Sequence, residues 1–494
     1  MIKPASPVCS LAIIIDKTRE NGFCSLKGQS HYSRLTMLLL QNHTEGLCES
    51  MFHHLVVDLL ERWYPLVLDM DCGGYFTNLA YDWLIPSAQD KMVVSQSRHI
   101  WTTSEAASFL PEGGTYCAYA RHGVAFLKDH MWDGECGGFF QIRNRRGGYS
   151  ECRGWQQEKR TYGNAFAILA LARFYKLTQD PSALDLAKEA FQWLETHAFD
   201  PAYGGYFQFL TREGTVIDAS SPYQTEADDK HECGYKDLNS SIHLLEAYTE
   251  LYRVWKDRTL KAQLTSLLQL IRDRMATEQG YLRLFFTQDW TPLSFRDAPA
   301  KTRMLNYALD HVSFGHDCQT AFLLLQASHA LGLGNDARTL LTAQRLLEHS
   351  IVNGWDQSCG GFFDGGYYQN DTSHCTIVRT TKTWWAQADA LNALLLFSHI
   401  FPADRCYREL FEKQWEYIDA YLIDHRLGDW FEGGLDREPD NITAPKSHMW
   451  KCTYHTSRVL MNCIALMSDE PQSTTGILER KHALQELISY WRRM

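Results

Sequence analysis

The sequence predicts an all-α fold, an (α/α)6 barrel or six-hairpin toroid with short β-hairpins at one end, and three observations predict it. A phrase recurs along the chain: an acidic residue, a short gap, Gly-Gly and then aromatics. Its copies are close to evenly spaced. The stretches between the copies have helical periodicity. The phrase reads DCGGYF at Asp71–Phe76, DGECGGFF at Asp133–Phe140, DPAYGGYF at Asp200–Phe207 and DQSCGGFF at Asp356–Phe363. A weaker copy is DWFEGG at Asp429–Gly434, and a worn one is EQGYLRLFF at Glu278–Phe286. The second glycine falls at 74, 138, 205, 361 and 434, with Gly280 at the matching place in the worn copy. Gly-Gly before aromatics predicts a turn into a short strand. Six such turns at this spacing are a repeat rather than unrelated hairpins.

Between the turns, Tyr162–Tyr175, Leu244–Trp255, Phe322–Leu331 and Trp384–Phe397 place apolar residues three and four apart, the helical spacing. Each interval of roughly 65–80 residues has room for two helices. One pair cannot bury both its faces, so neighbours must stack, and six pairs close into a ring around a cavity. This gives one domain over 46–468. Residues 1–45 carry no clear pattern and read as an N-terminal extension. Residues 469–494 read as a C-terminal helix, with Leu, Ile and Trp on one side.

Composition narrows the function. Hydrophobic residues make up 45%, enough for a large core. The net charge is −11 with acids spread along the chain, which excludes a nucleic-acid surface built on clustered Lys and Arg. The 15 Trp exceed what packing asks for and suit a sugar site, where ring faces stack on a pyranose. The 14 Cys form no CxxC pair and read as buried thiols in a reducing compartment. Leu11–Ile15 is too short to span a membrane and lacks the layout of a secretory signal. The expected location is cytoplasmic.

Candidate site residues lie on the predicted inner helices. In Lys236–Trp255, Asn239, His243 and Glu246 follow at i, i+4 and i+7 and share one face. In His311–Ala327, Gly315 breaks the chain before His316, and Gln319 stands one turn on. Lys382–Phe397 sets Trp385 and Asp389 four apart. His448–Leu460 gathers Trp450, His455 and Arg458 at a loop-to-helix junction, and Ser95–Ala107 offers Arg98 ahead of Trp101.

Taken together, KDLNSSIHLLEAYTELYRVW, FGHDCQTAFLL, KTWWAQADAL and WKCTYH resemble signature stretches of the cellobiose 2-epimerases, within the wider N-acylglucosamine 2-epimerase group. YGNAFAILALARFYKLT and the GGYF or GGFF phrases fit the same family, and the resemblance spans nearly all of 46–468. It implies the same barrel, no metal and no redox cofactor, and a reducing sugar, a disaccharide, as substrate for a monomer or homodimer. By position it implies His316 and His455 as catalytic, Arg98 as a substrate arginine, Asn239 and His243 as inner-helix contacts, and Trp385 and Trp450 as stacking residues. The chain departs from the family pattern at Gln319 and Asp389, where Glu is usual, and at Phe322, where Trp is usual.

Epimerisation at C2 explains these residue types. Ring opening gives an aldehyde whose C2 proton is acidic. One base removes that proton and an acid returns one to the other face, and histidine serves both roles. Two imidazoles on opposite walls of the cavity are expected to supply the two faces. Returning the proton to C1 instead gives a ketose, so an aldose–ketose isomerase is the near alternative. A glycoside hydrolase would need two carboxylates, for which Glu246 and Asp389 are available. A non-enzymatic member that binds sugar or protein is the third reading; Gln319 favours it and the two retained histidines weigh against it.

Overall fold

Consecutive left-handed residues mark five of the six repeats, and Gly280 stands alone in the worn one. The structure is a computed structural model that describes residues 46–111, 113–151, 157–218, 220–221, 232–333, 336–369 and 374–468. The expected N-terminal extension and C-terminal helix therefore lie outside the described residues. Gly73 and Gly74 have φ of 79° and 66°, Gly137 and Gly138 70° and 74°, Gly204 and Gly205 both 72°, and Gly360 and Gly361 79° and 76°. Only glycine adopts this backbone at no steric cost. At the second position a Cβ would also strike an aromatic ring: Phe126 at Gly74, Trp193 at Gly138, Trp290 at Gly205 and Tyr417 at Gly361.

After each turn the chain reverses through one antiparallel bridge, Leu68 to Tyr75, Trp132 to Phe139, Phe199 to Tyr206, Ala276 to Leu282, Trp355 to Phe362 and Ile423 to Trp430. These bridges correct the expected register in three copies. The sixth turn is at Asp424–Phe431, with Gly428 (φ 82°) and Asp429 (φ 62°) left-handed, and not at Gly433–Gly434. The acid of the first turn is Asp69 rather than Asp71, because the Gly73 N–H donates to Asp69 as the Gly137 N–H does to Asp133. In the worn copy the Gly280 N–H donates to Thr277 as the Gly204 N–H does to Asp200, so Gly280 matches the first glycine.

Five of the turns carry a buried lysine. Lys91 donates to Asp69 (2.9 Å), Lys159 to Asp133 (2.9 Å), Lys236 to Asp200 (2.8 Å), Lys382 to Asp356 (2.9 Å) and Lys446 to Asp424 (2.7 Å). Each also donates to the carbonyl of the first left-handed glycine in the same turn, Gly73, Gly137, Gly204, Gly360 and Gly428 respectively. In the worn turn Thr277 stands where the acid would be, and Val312 where the lysine would be.

Contacts divide the chain into two compact units, Met1–Ser50 and Met51–Met494. In the first, the described residues 46–50 are helical. The second holds six helix pairs. Outer helix α1 covers 51–63, with a π-helical segment His54–Leu60. The strand β1 (Lys91–Met92) leads into inner helix α2 (Val93–Phe109), which is followed by outer α3 (Gly114–Phe126). The strand β2 is Ile142–Arg143, and β3 (Lys159–Arg160) leads into inner α4 (Thr161–Thr178) and outer α5 (Pro181–His197). The strand β4 is Phe209–Leu210, and β5 (Lys236–Asp237) leads into inner α6 (Leu238–Val254) and outer α7 (Arg258–Leu270). After β6 (Phe285–Phe286) come short α8 (Ala300–Leu305) and α9 (Tyr307–Asp310). Then β7 (Val312–Ser313) leads into inner α10 (Phe314–Ala330) and outer α11 (Ala337–Gly354). The strands β8 (Gly365–Tyr368) and β9 (Cys375–Arg379) precede inner α12 (Trp384–Ile400) and outer α13 (Arg405–Tyr421), and inner α14 (Tyr454–Ser468) completes the set.

The inner helices pack in a closed cycle, α2–α4–α6–α10–α12–α14 and back to α2, and each leans on its own outer helix. This is the (α/α)6 barrel. Among the described residues the strands form three two-stranded ladders and one three-stranded sheet, β7–β8–β9. Outer helices bury one stripe. In α13, Tyr407, Phe411, Gln414, Trp415 and Ile418 face inward at three- and four-residue spacing. Outer helices α5, α7, α11 and α13 are capped by Asp180, Asp257, Asp336 and Asp404, each side chain accepting an N–H of the first turn.

Candidate active site

Five of the inner helices start close behind a short strand and α14 starts behind a loop, and the first two turns of all six sit at one end of the ring. The side chains there build a cavity of about 190 Å³, lined by Arg98, Tyr162, Asn239, His243, His316, Gln319, Trp384, Trp385, Trp450 and His455. The positions repeat. Tyr162, Asn239, Trp385 and His455 are second in their helices, Arg98, His243 and Gln319 are sixth, and His316 is third in α10. The sequence candidates Arg98, Asn239, His243, His316, Gln319, Trp385, Trp450 and His455 thus share one cavity. Glu246 and Asp389 do not line it but stand behind the histidines.

Asp389 Oδ2 lies 3.1 Å from His455 Nδ1, and Glu246 Oε2 lies 3.0 Å from His243 Nδ1. Arg458 joins the two carboxylates, donating to Asp389 Oδ1 at 2.6 Å and to Glu246 Oε1 at 2.5 Å. Tyr454 also donates to Glu246 at 2.6 Å. Burial pushes both carboxyls up, but Arg458 and the histidines outweigh it. Glu246 falls to about 2, and Asp389 lies below the ordinary carboxylate range. Ionised carboxylates only accept, so Nδ1 of His455 and of His243 carries the hydrogen and Nε2 keeps its lone pair. His316 is held differently: its Nδ1 meets Ser313 Oγ at 2.7 Å, and a hydroxyl can donate or accept.

Burial lowers all three imidazoles, His316 to about 3 and His455 to about 4, with His243 shifted the same way. They are neutral near pH 7 and therefore available as bases. The Trp385 ring stands between the first two, 4.8 Å from His316 and 6.0 Å from His455. The expectation of opposite walls is corrected by the ring order. His316 (α10) and His455 (α14) are two places apart on either side of α12, whereas α6, which bears His243, lies across from α14. Arg98 donates to the Trp450 carbonyl (2.8 Å) and the Tyr162 hydroxyl (3.0 Å), and its guanidinium lies 4.5 Å from the Phe166 ring centre. Trp450 is 39% exposed, at the cavity mouth.

Sequence reasoning assigned no role to Tyr162, Trp384 or Tyr454, and it noted Arg458 without seeing its place between two carboxylates. Among the described residues, one group of three side chains could share a metal ion, Asp356, Cys359 and Asp436. Lys382 Nζ already sits against both carboxylates, at 2.9 and 2.8 Å. No helix among the described residues is long and apolar enough to cross a membrane.

The sequence model of N-acylglucosamine 2-epimerase matches residues 74–458. The chain is similar to a cellobiose 2-epimerase of Bacteroides fragilis, 30% identical over 432 residues that cover 86% of this chain and 100% of that one. It is also similar to a D-mannose isomerase of Thermobifida fusca, 26% identical over 63% of this chain and 70% of that one. Among solved structures, a cellobiose 2-epimerase from Bacillus thermoamylovorans shares the fold with a TM-score of 0.73 at 24% identity, covering 85% of this chain and 99% of that one.

Proposed function

The chain belongs to the N-acylglucosamine 2-epimerase family, and we propose that it inverts C2 of the reducing-end residue of a β-1,4-linked disaccharide of glucose or mannose type. The observation that carries the reading is one cavity in which two imidazoles, His316 and His455, both lie against the Trp385 ring. After ring opening, one imidazole takes the C2 proton, and the electron pair moves into the C1 carbonyl to give an enediolate. The other must first take up a proton from solvent or from the opened sugar's hydroxyl; it returns that proton to the opposite face of C2, and the ring recloses. His455 is the better fixed of the two, since Asp389 holds its Nδ1–H and aims Nε2 inward. Arg98 and the N-termini of six inner helices put positive potential where the enediolate oxygen carries charge. Trp450, half-exposed at the mouth, is placed to stack on a second sugar ring.

A hydrolase is disfavoured because Glu246 and Asp389 are both ion-paired to Arg458 behind the cavity wall, and the described residues that line the cavity include no acid pair to flank a glycosidic bond. Aldose–ketose isomerisation is the second reading, supported by the D-mannose isomerase relative. It uses the same bases, with the proton returned to C1.

Proton NMR in heavy water tests the reading on a panel of cellobiose, lactose, mannobiose, glucose, mannose and N-acetylglucosamine. The expected result is deuterium at C2 of a β-1,4-disaccharide together with its epimer. His455→Ala should slow exchange by roughly 10²–10⁴-fold with the fold retained. Cleavage without exchange rejects the proposal, and a ketose product decides for the isomerase.

A further inference from the structure

Ser313 stands at the N-cap of inner helix α10, where a serine usually accepts an N–H of the first turn. It makes no such bond. Among the described residues its Oγ meets only His316 Nδ1, at 2.7 Å. Ser313 is 5% exposed, and a buried hydroxyl that leaves its hydrogen unused is costly. The one acceptor within its reach is the Nδ1 lone pair. The Ser313 hydrogen therefore points at Nδ1, and the hydrogen of neutral His316 is on Nε2. His455 and His243 are set the other way. Asp389 and Glu246 only accept, which puts hydrogen on Nδ1 and the lone pair on Nε2. Three imidazoles that line one cavity thus meet it in two opposite forms.

We infer that Ser313 is a positioning residue of the proposed reaction, which sets resting His316 with its Nε2–H toward the sugar as a donor while His455 meets the sugar as a base. The inference rests on the proposed function and divides its labour. On the epimer whose C2–H faces His455, the Nε2 lone pair of His455 can take the proton at once, and His316 Nε2–H is free to bond a sugar oxygen. When His316 is protonated, both its nitrogens carry hydrogen, and the Ser313 hydroxyl turns to accept from Nδ1. Delivery of the Nε2 hydrogen to C2 then leaves His316 neutral with hydrogen on Nδ1. That is the form in which it is the base for the opposite epimer. A carboxylate in place of Ser313 would hold only this second form, whereas a hydroxyl serves both because it donates and accepts.

Long-range proton–nitrogen NMR of the full chain, with heavy nitrogen in its histidines, tests the assignment without sugar, because it separates hydrogen-bearing ring nitrogens from bare ones. The His316 signals are those missing from His316→Gln. They should show hydrogen on Nε2 and an Nδ1 that accepts a hydrogen bond, and His455 should show hydrogen on Nδ1. Ser313→Ala should move the Nδ1 signal of His316 toward that of an unbonded nitrogen. It should also lower kcat for C2 exchange about tenfold, roughly the weight of one hydrogen bond, with KM held within about twofold. Ser313→Thr keeps the hydroxyl and should restore both readings. Hydrogen on Nδ1 of His316 in the wild type, or wild-type kcat in Ser313→Ala, overturns the inference. A serine that only packs would lower the melting temperature of Ser313→Ala and move neither reading, which overturns it as well. The expected nitrogen signals in a chain that exchanges no C2 hydrogen would sink the proposed function, and with it this role for Ser313, while the hydrogen on Nε2 stands.

Discussion

Gln319 sits one turn along α10 from His316 and lines the same cavity, with its Nε2 buried and unpartnered among the described residues. A carboxylate there would favour the imidazolium, but an amide supplies no charge. The neighbouring Asp317 does not stand in for it. Its Oδ1 accepts the Leu282 N–H at 2.9 Å, in the fourth helix position from which Gln96, Asn164 and Gln387 clamp the backbone of their own hairpins. His316 is hydrogen-bonded to neutral Ser313, and the more distant charge of Asp389 does not offset the burial that depresses it to about 3. Gln319→Glu should therefore raise turnover several-fold and move the limb of the pH–rate profile set by His316 upward by about 1–3 units. An unmoved limb in kcat/KM against pH refutes this. Most of the cavity was legible at this scale because cavity-lining positions recur by helix register. Tyr162 was overlooked although it holds in α4 the place that Asn239 holds in α6. The role of Arg458 was not legible, since it depends on α6, α12 and α14 meeting across more than 200 positions of sequence.

The hairpin is the element that repeats, and its lysine is the part that sequence periodicity hid. Single polar residues, four of them two places before a helix, carry no hydrophobic signal, so the Gly-Gly turns were visible and their buried ammonium groups were not. Lys236 is fully buried and donates to Asp200, Gly204 and Gln288, at 2.8, 2.6 and 2.8 Å. Lys236→Val strands Asp200, which is 2% exposed, as a buried uncompensated charge, and should cost about 3–5 kcal/mol. The worn hairpin shows the alternative: Thr277 and Val312 replace both partners together. Asp200→Thr added to Lys236→Val should then recover a large part of that loss, because removing both members of a buried pair is far cheaper than removing one. Denaturant unfolding of the two single variants and the double variant measures the coupling. A double variant as unstable as the two losses added together would show that the lysine acts without its carboxylate partner.

Within Met51–Met494 the six pairs share one closed ring, in which α14 packs on α2 and completes the cycle. Repeat spacing made that closure legible. It could not show which helices face each other, and so the two catalytic candidates were expected on opposite walls. The ring also buries histidines as neutral groups and aspartates as charged ones, and both set the acid stability. Burial lowers His99 to about 3, and His349 and His455 to about 4, from an ordinary 6.5. The unfolded chain takes up these protons first, so their contribution is present above pH 6.5 and declines as pH falls from there toward 4. Burial opposes ionisation of Asp69, Asp133, Asp200, Asp356 and Asp424, but hydrogen bonds and charges outweigh it and hold all five below 3.8, Asp69 at about 2. Their contribution is present above pH 3.8 and is lost as pH falls toward the folded values. The two windows adjoin, so stability should fall without a plateau from about pH 6.5 downward and fall more steeply below pH 4. With roughly 2–4 °C of melting temperature per kcal/mol in a large domain, a drop of several degrees between pH 7 and pH 5 should be visible in circular dichroism melts. A melting temperature constant over that range would mean that these histidines take up protons as readily in the folded ring as in the unfolded chain, and it would remove them from the list of neutral bases.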